Sequence, residues 1–224
     1  MITLYDYELS GNCYKVRLFL SILELEFDIE PVEFYPAREH KTDEFLRINP
    51  LGQLPALRDD EVTLRDAQAI LVYLARKYDK SGHWYPANNA ELMGEIQMWL
   101  SFADGLTGSI SAARLHDLFF FEFDAAACRR RAHELLRVMD EHLWLQEQRG
   151  YGYLCAAIRP TIADLACFPY IALSDEGGVS LEDYPAVRRW TDRIKRVPGF
   201  TVMSGVFPAG PSLDQQSLAS ALAR

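Results

Sequence analysis

Cysteine is scarce and badly spaced for chemistry. The chain holds four, Cys13, Cys128, Cys155 and Cys167, and no two form a Cys-x-x-Cys pair. Their spacings match no zinc site, so a zinc module is not expected. A disulfide framework is not expected either in a cytosolic chain this long. Cys128, Cys155 and Cys167 read as small packing hydrophobes. Long apolar runs are missing: nothing approaches the roughly 20 residues that span a bilayer. Positive charge is in deficit, with 23 Lys and Arg against 32 Asp and Glu, a net charge of -9. An acidic surface repels phosphate backbones, so nucleic acid is not an expected partner. The one dense basic run, Arg129-Arg130-Arg131, lies in a helical pattern and reads as a solvated face. There is no internal repeat. Met1-Ile2-Thr3-Leu4-Tyr5-Asp6 has no basic n-region and enters a strand pattern directly, so no signal peptide is expected and the expected compartment is the cytoplasm.

What is present suits an ordinary globular core. Apolar residues make up 49% and charged residues 25% of 224 residues, enough for one large domain or two small ones. Ile2–Tyr7 reads as a strand, broken at Ser10-Gly11. Val16, Phe19, Leu20 and Leu23 carry the i, i+3, i+4, i+7 stripe of a helix from about Asn12 to Leu25. Phe27–Phe34 reads as a second strand and Thr42–Ile48 as a short helix, stopped by Asn49-Pro50-Leu51-Gly52. Leu54–Leu57 and Val62–Leu64 read as a hairpin turning at Asp59-Asp60. Ala67–Tyr78 reads as a helix with Asp66 as its N-cap. The order is β-α-β-α-β-β-α, with a mixed sheet.

Asp79–Ala90 reads as a linker, and the remainder is helical. Leu92, Ile96, Trp99, Leu100 and Ala103 form one stripe; Cys128, Ala132, Leu135, Met139 and Leu143 form another. Thr161–Leu173 and Pro185–Val197 carry two more. The expected division is an α/β domain over 1–80 and an all-helical domain over 88–207. Residues 208–224, rich in Ser, Ala and Pro, read as a loose terminus.

The sharpest local feature is Asn49-Pro50-Leu51-Gly52-Gln53-Leu54-Pro55-Ala56-Leu57. Pro55 sits at the mouth of a strand, where proline has no N–H for the ladder. A cis Leu54–Pro55 bond resolves this and turns the Leu54 N–H and C=O outward, where they can grip an extended peptide as an added strand. The competing reading is a trans proline opening an edge strand.

Three segments together resemble the glutathione transferase family, in its serine-type theta- or zeta-like classes. They are Ser10-Gly11-Asn12-Cys13-Tyr14-Lys15-Val16-Arg17, the Asn49–Leu57 stretch, and Leu64-Arg65-Asp66-Ala67-Gln68-Ala69-Ile70-Leu71-Val72-Tyr73-Leu74. Pro160-Thr161-Ile162-Ala163-Asp164 is similar to the family's capping box, a folding device. The resemblance runs from Ile2 to Phe207. It implies a thioredoxin-like α/β domain followed by an all-α domain, and a homodimer. It also implies an enzyme that conjugates the glutathione thiolate to a hydrophobic electrophile, with glutathione as co-substrate and no metal.

Glutathione offers an amine, two carboxylates and a thiol. A free thiol titrates at about 8.5, and lowering it by ~2 units takes about 2.7 kcal/mol of preferential thiolate stabilisation. One or two hydrogen bonds to the anion, at ~1.5–3 kcal/mol each, supply that. A helix N-terminus adds to it. By the resemblance Ser10, six residues before Val16, is the thiolate donor. A plain N-cap role competes. Asn12 is a rival donor, and Cys13 is a rival through a mixed disulfide. Tyr5 and Tyr7 flank the position where other classes place a tyrosine, which is Asp6 here.

The resemblance further assigns Asp66 to the γ-glutamyl amine and Ala67 to the place of a serine that holds the γ-glutamyl carboxylate. Only the backbone N–H remains for that task, so weaker glutathione binding is expected. Gln53, His40 and, less strongly, Lys41 match the glycyl end; a solvated loop histidine is the alternative for His40. Phe102, Arg114, Leu115 and Phe119-Phe120-Phe121 are candidate walls for the second substrate, with core or dimer packing as the competing reading. A glutathione-dependent disulfide reductase or peroxidase, and a binding protein without catalysis, are the alternative functions.

Overall fold

The computed structural model describes residues 1–210. The expected loose terminus therefore falls, from residue 211 on, outside the described residues.

Four strands form one sheet in the order β2-β1-β3-β4: β1 (Ile2–Asp6), β2 (Phe27–Pro31), β3 (Ala56–Asp59) and β4 (Val62–Arg65). β1 pairs parallel with β2 and antiparallel with β3, and β3–β4 is the hairpin. Helices α1 (Gly11–Ile22), α2 (Asp43–Ile48) and α3 (Ala67–Tyr78) complete a thioredoxin-like unit, with a 3-10 turn at Glu39–Lys41 before α2. The helical region follows as α4 (Ala90–Leu106), α5 (Ala112–Phe119), α6 (Ala125–Gln148), α7 (Ile162–Ala172) and α8 (Pro185–Ile194).

Boundaries depart from expectation for local reasons. α1 ends at Ile22 rather than Leu25, because Glu24 turns the chain at φ 53. β2 stops at Pro31 rather than Phe34. It is the sheet's edge, so Ile29 stays half exposed instead of packing inward. β3 starts at Ala56, because Pro55 has no N–H to give the ladder.

α1, α3, α4 and α7 meet over a shared core that includes Leu18, Phe19, Ile70, Leu74, Ile96, Leu100 and Phe168. The two regions therefore bury one continuous apolar body. Asp59, itself buried, ties α3 to β3: its Oδ2 accepts from Tyr73 Oη at 2.9 Å, Lys77 Nζ at 2.7 Å and Tyr78 Oη at 2.5 Å. The capping box forms as expected. Thr161 Oγ1 accepts from Ala163 N, while Asp164 takes the N–H groups of Thr161 (2.8 Å), Leu154 (3.0 Å) and Trp190 Nε1 (2.8 Å). A fully buried carboxylate is tolerable only with its lone pairs filled in this way.

One feature had no sequence signal. Thr107–Ser111 forms a π-helical turn between α4 and α5. Wide turns of this kind interrupt helices at functional places more often than elsewhere. This one carries Thr107 and Ser111 onto the wall of a cavity.

Candidate functional site

The cavity, about 580 Å³, lies between the sheet domain and the α4–α5 arm. It collects Ser10, Asn12, His40, Lys41, Gln53, Leu54, Pro55, Asp66 and Ala67 from the sheet side, and Arg114, Leu115, Phe119 and Phe121 from the helical side. Nearly every site residue expected from the sequence is thus brought to one place.

Ser10 is the N-cap of α1, in extended backbone at φ -81 and ψ 120. Its Oγ accepts the Cys13 N–H at 3.2 Å. A hydroxyl has one proton and two lone pairs, so an acceptor role in the cap leaves the proton free to donate. The cap role and a donor role are therefore compatible. Asn12 is half-buried on the same wall, and its Oδ1 has no hydrogen-bond partner among the described residues. Cys13 points the other way. It is fully buried, takes the Tyr7 N–H on Sγ at 3.5 Å, and does not line the cavity. Burial, and then the charge of Asp6, push its thiol up to about 12. That removes Cys13 from thiol exchange with a ligand in the cavity.

Tyr5 is buried edge-on against Phe45 at 6.2 Å. Asp6 is buried in an ion pair with Arg17. Tyr7 instead reaches the cavity. Burial, and then Glu33, push its phenol upward, so it stays protonated.

At one end, Asp66 adopts φ 73, which non-glycine residues rarely do, and its Oδ1 caps α3 by accepting Ala69 N–H at 2.9 Å. Ala67 follows, buried, at the first turn. Asp104 of α4, absent from the sequence-based set, lines the same end and accepts from Gln68 Nε2 at 2.5 Å. Burial, and then the neighbouring Asp66, raise its carboxyl above the usual range.

At the other end, His40 is 4% exposed, so the solvated-loop alternative is overturned. Its ring stacks on Phe34, centroids 4.3 Å apart. Burial, then Lys41 and Arg38, push the imidazole down to about 4, leaving it neutral. Lys41 Nζ donates to the carbonyls of Leu51 (3.3 Å) and Gly52 (2.8 Å), which holds the turn before Gln53. Gly52 sits at φ +56, and a Cβ there would lie 2.7 Å from the His40 carbonyl oxygen. Gln53 is exposed, and its own carbonyl accepts from Asn49 Nδ2 at 2.7 Å. Leu54–Pro55 is cis; so is Tyr35–Pro36, which had not been expected.

The helical wall needs two corrections. Phe102 does not line the cavity; it packs on Trp99, centroids 4.9 Å apart, against the core. Phe120, at φ 58 and 80% exposed, ends α5 facing away. Arg114 does line it, but is buried with its Nε on Glu176 and its NH1 on the Leu9 carbonyl at 2.8 Å. Its charge is spent inside the protein. The sequence reading also missed Phe34, Phe123 and Tyr170 as lining residues. Tyr170 sits in the apolar run of α7 and reads as core.

The residues 1–76 match the family model for the glutathione S-transferase N-terminal domain. Glutathione S-transferase verG of Clonostachys rogersoniana is 30% identical over 202 residues, covering 84% of this chain and 80% of that protein. Among solved structures, a glutathione S-transferase from Pseudomonas fluorescens superposes with a TM-score of 0.80 at 28% identity, covering 90% of this chain and 98% of its own. A glutathione transferase homologue from Lodderomyces elongisporus, solved with two GSH per subunit, gives 0.78 at 25% identity, covering 88% and 94%.

Proposed function

The chain belongs to the glutathione S-transferase family, and from that premise we propose that it conjugates the glutathione thiolate to a hydrophobic electrophile. The observation that carries the reading is Ser10: a hydroxyl at the N-terminus of α1, on the cavity wall, whose cap bond uses a lone pair and spares its proton. In this reading Ser10 Oγ–H donates to the glutathione sulfur and the helix end adds positive potential. Leu54, ahead of the cis proline, pairs with the cysteinyl backbone. Asp66 takes the γ-glutamyl ammonium, and the Ala67 N–H faces the γ-glutamyl carboxylate. His40, Gln53 and Lys41 stand at the glycyl end. Tyr7, Leu115, Phe119 and Phe121 give the electrophile an apolar, aromatic seat.

The step itself is a nucleophilic attack. The sulfur lone pair forms a C–S bond as a leaving group departs with its electron pair, or as an activated double bond takes up the charge. Catalysis consists of presenting an ionised thiol, held in place, next to the electrophile. Asn12 is the rival donor, because its amide shares the wall. A homodimer belongs to the same proposal.

The test is direct. Calorimetry with glutathione on the full chain is expected to show binding. Conjugation of a chloronitroaromatic is expected to occur, and to fall more in Ser10→Ala than in Asn12→Ala. Absence of glutathione binding would sink the reading, and undiminished turnover in Ser10→Ala would remove Ser10 from its role.

A further inference from the structure

Lys15 is fully buried in α1, and its Nζ has no hydrogen-bond partner among the described residues. An unpartnered ammonium in the interior is costly, and an apolar side chain of the same length would pack there without that cost. Long side chains on a helix lean back toward its N-terminus. For α1 that end carries Ser10 and Asn12 onto the cavity wall. Lys15 Nζ lies 5.4 Å from the centre of the Tyr170 ring, and Tyr170 is part of that wall. The charge therefore sits just behind the lining.

The groups facing it come from three elements. Cys167 and Tyr170 belong to α7, Asp104 to α4, and Asp66 caps α3. Burial pushes the ammonium down to about 8, against the pull of these anions, so it is still mainly protonated at neutral pH. Asp66 and Asp104 bracket the end of the cavity assigned above to the γ-glutamyl group. Two carboxylates suit an ammonium there but repel the carboxylate bonded to the same carbon. Ala67 offers that carboxylate an N–H and no hydroxyl.

We propose that Lys15 is a positioning residue, supplying from behind the Tyr170 side of the wall the positive charge that retains the α-carboxylate of the γ-glutamyl group. The inference rests on the glutathione reading of the cavity. It accounts for a buried charge without a partner: the ligand carboxylate balances two protein carboxylates and one lysine into a neutral set.

The experiment is calorimetry on the full chain with glutathione and with 4-aminobutyryl-cysteinyl-glycine, which keeps the amine and lacks that carboxylate. The wild-type protein is expected to prefer glutathione by about tenfold, the size of one modest charge-assisted interaction. In Lys15→Met and Lys15→Gln the preference is expected to shrink to within about twofold, with the affinity for the truncated peptide nearly unchanged. Both variants are expected to melt at or above the wild-type temperature, since each removes an unpaired buried charge; Lys15→Gln carries the comparison should Lys15→Met not fold. A preference that survives in the variants overturns the role of Lys15 while leaving the glutathione reading intact. Equal loss of both ligands also overturns it, because that marks a purely structural lysine. Wild-type protein that binds neither peptide overturns the glutathione reading, and the proposal falls with it.

Discussion

Phe34 and Phe121 stack with ring centroids 5.7 Å apart and planes 19° apart, although one follows β2 and the other follows α5. His40 continues the column on the far face of Phe34. The sheet domain and the helical arm are thus joined by a pile of rings along the cavity. Phe121→Ala removes the outer ring. The apparent KM for an aromatic electrophile is expected to rise about five- to tenfold, in line with the worth of an aromatic contact plus its buried area. The KM for glutathione should stay within about twofold. Steady-state kinetics with both substrates varied decides this, and an unchanged electrophile KM would reduce the column to packing.

His40 gives a pH signature. Its folded imidazole sits at about 4, against about 6.5 in an unfolded chain. Between those values the unfolded chain binds the extra proton and the folded one does not. Stability therefore falls as pH drops from 6.5 toward 4, and this contribution is flat above 6.5. Urea unfolding at pH 7 and pH 5 should show a smaller loss in His40→Gln than in the wild type. Equal losses would mean that the folded imidazole titrates normally.

Asp59 acts in the opposite sense. Burial alone would raise its carboxyl, but hydrogen bonds from Lys77, Tyr78 and Tyr73 outweigh burial and hold it below the usual carboxylate range. Its contribution is present above the unfolded value of about 3.9 and is lost as pH falls through the lower folded value. Asp59→Asn at pH 7 is expected to cost about 2 kcal/mol in chemical unfolding, because donors to a charged group lose the charge. The difference from the wild type should narrow in strong acid. A variant as stable as the wild type at pH 7 would show that the cluster contributes nothing net.

The parts of this protein written into local chemistry were legible. Asp66 ahead of an apolar stripe announced the α3 cap, and Thr161 with Asp164 announced the box at α7. Pro55 at a strand mouth announced the cis bond. The cavity was legible only where its residues sit in such motifs. Tyr170 and Asp104 reach it from helices whose periodicity reports burial and not which neighbour is faced. Thr107 and Ser111 depend on a π turn, a change of one residue per turn that leaves no mark in composition. Phe102 and Phe120 were misassigned for the same reason: an aromatic residue near a cavity looks alike whether it faces in, packs behind, or ends a helix toward solvent.

The central claim concerns the proton on Ser10. Glutathione thiolate absorbs in the ultraviolet, so the ionisation of the bound thiol can be followed by difference absorbance across pH 5 to 10. The wild-type complex is expected to titrate about 2 units below the free thiol value of about 8.5, and the Ser10→Ala complex to return most of the way to it. A Ser10→Ala complex whose thiol ionises at the wild-type pH would contradict the account.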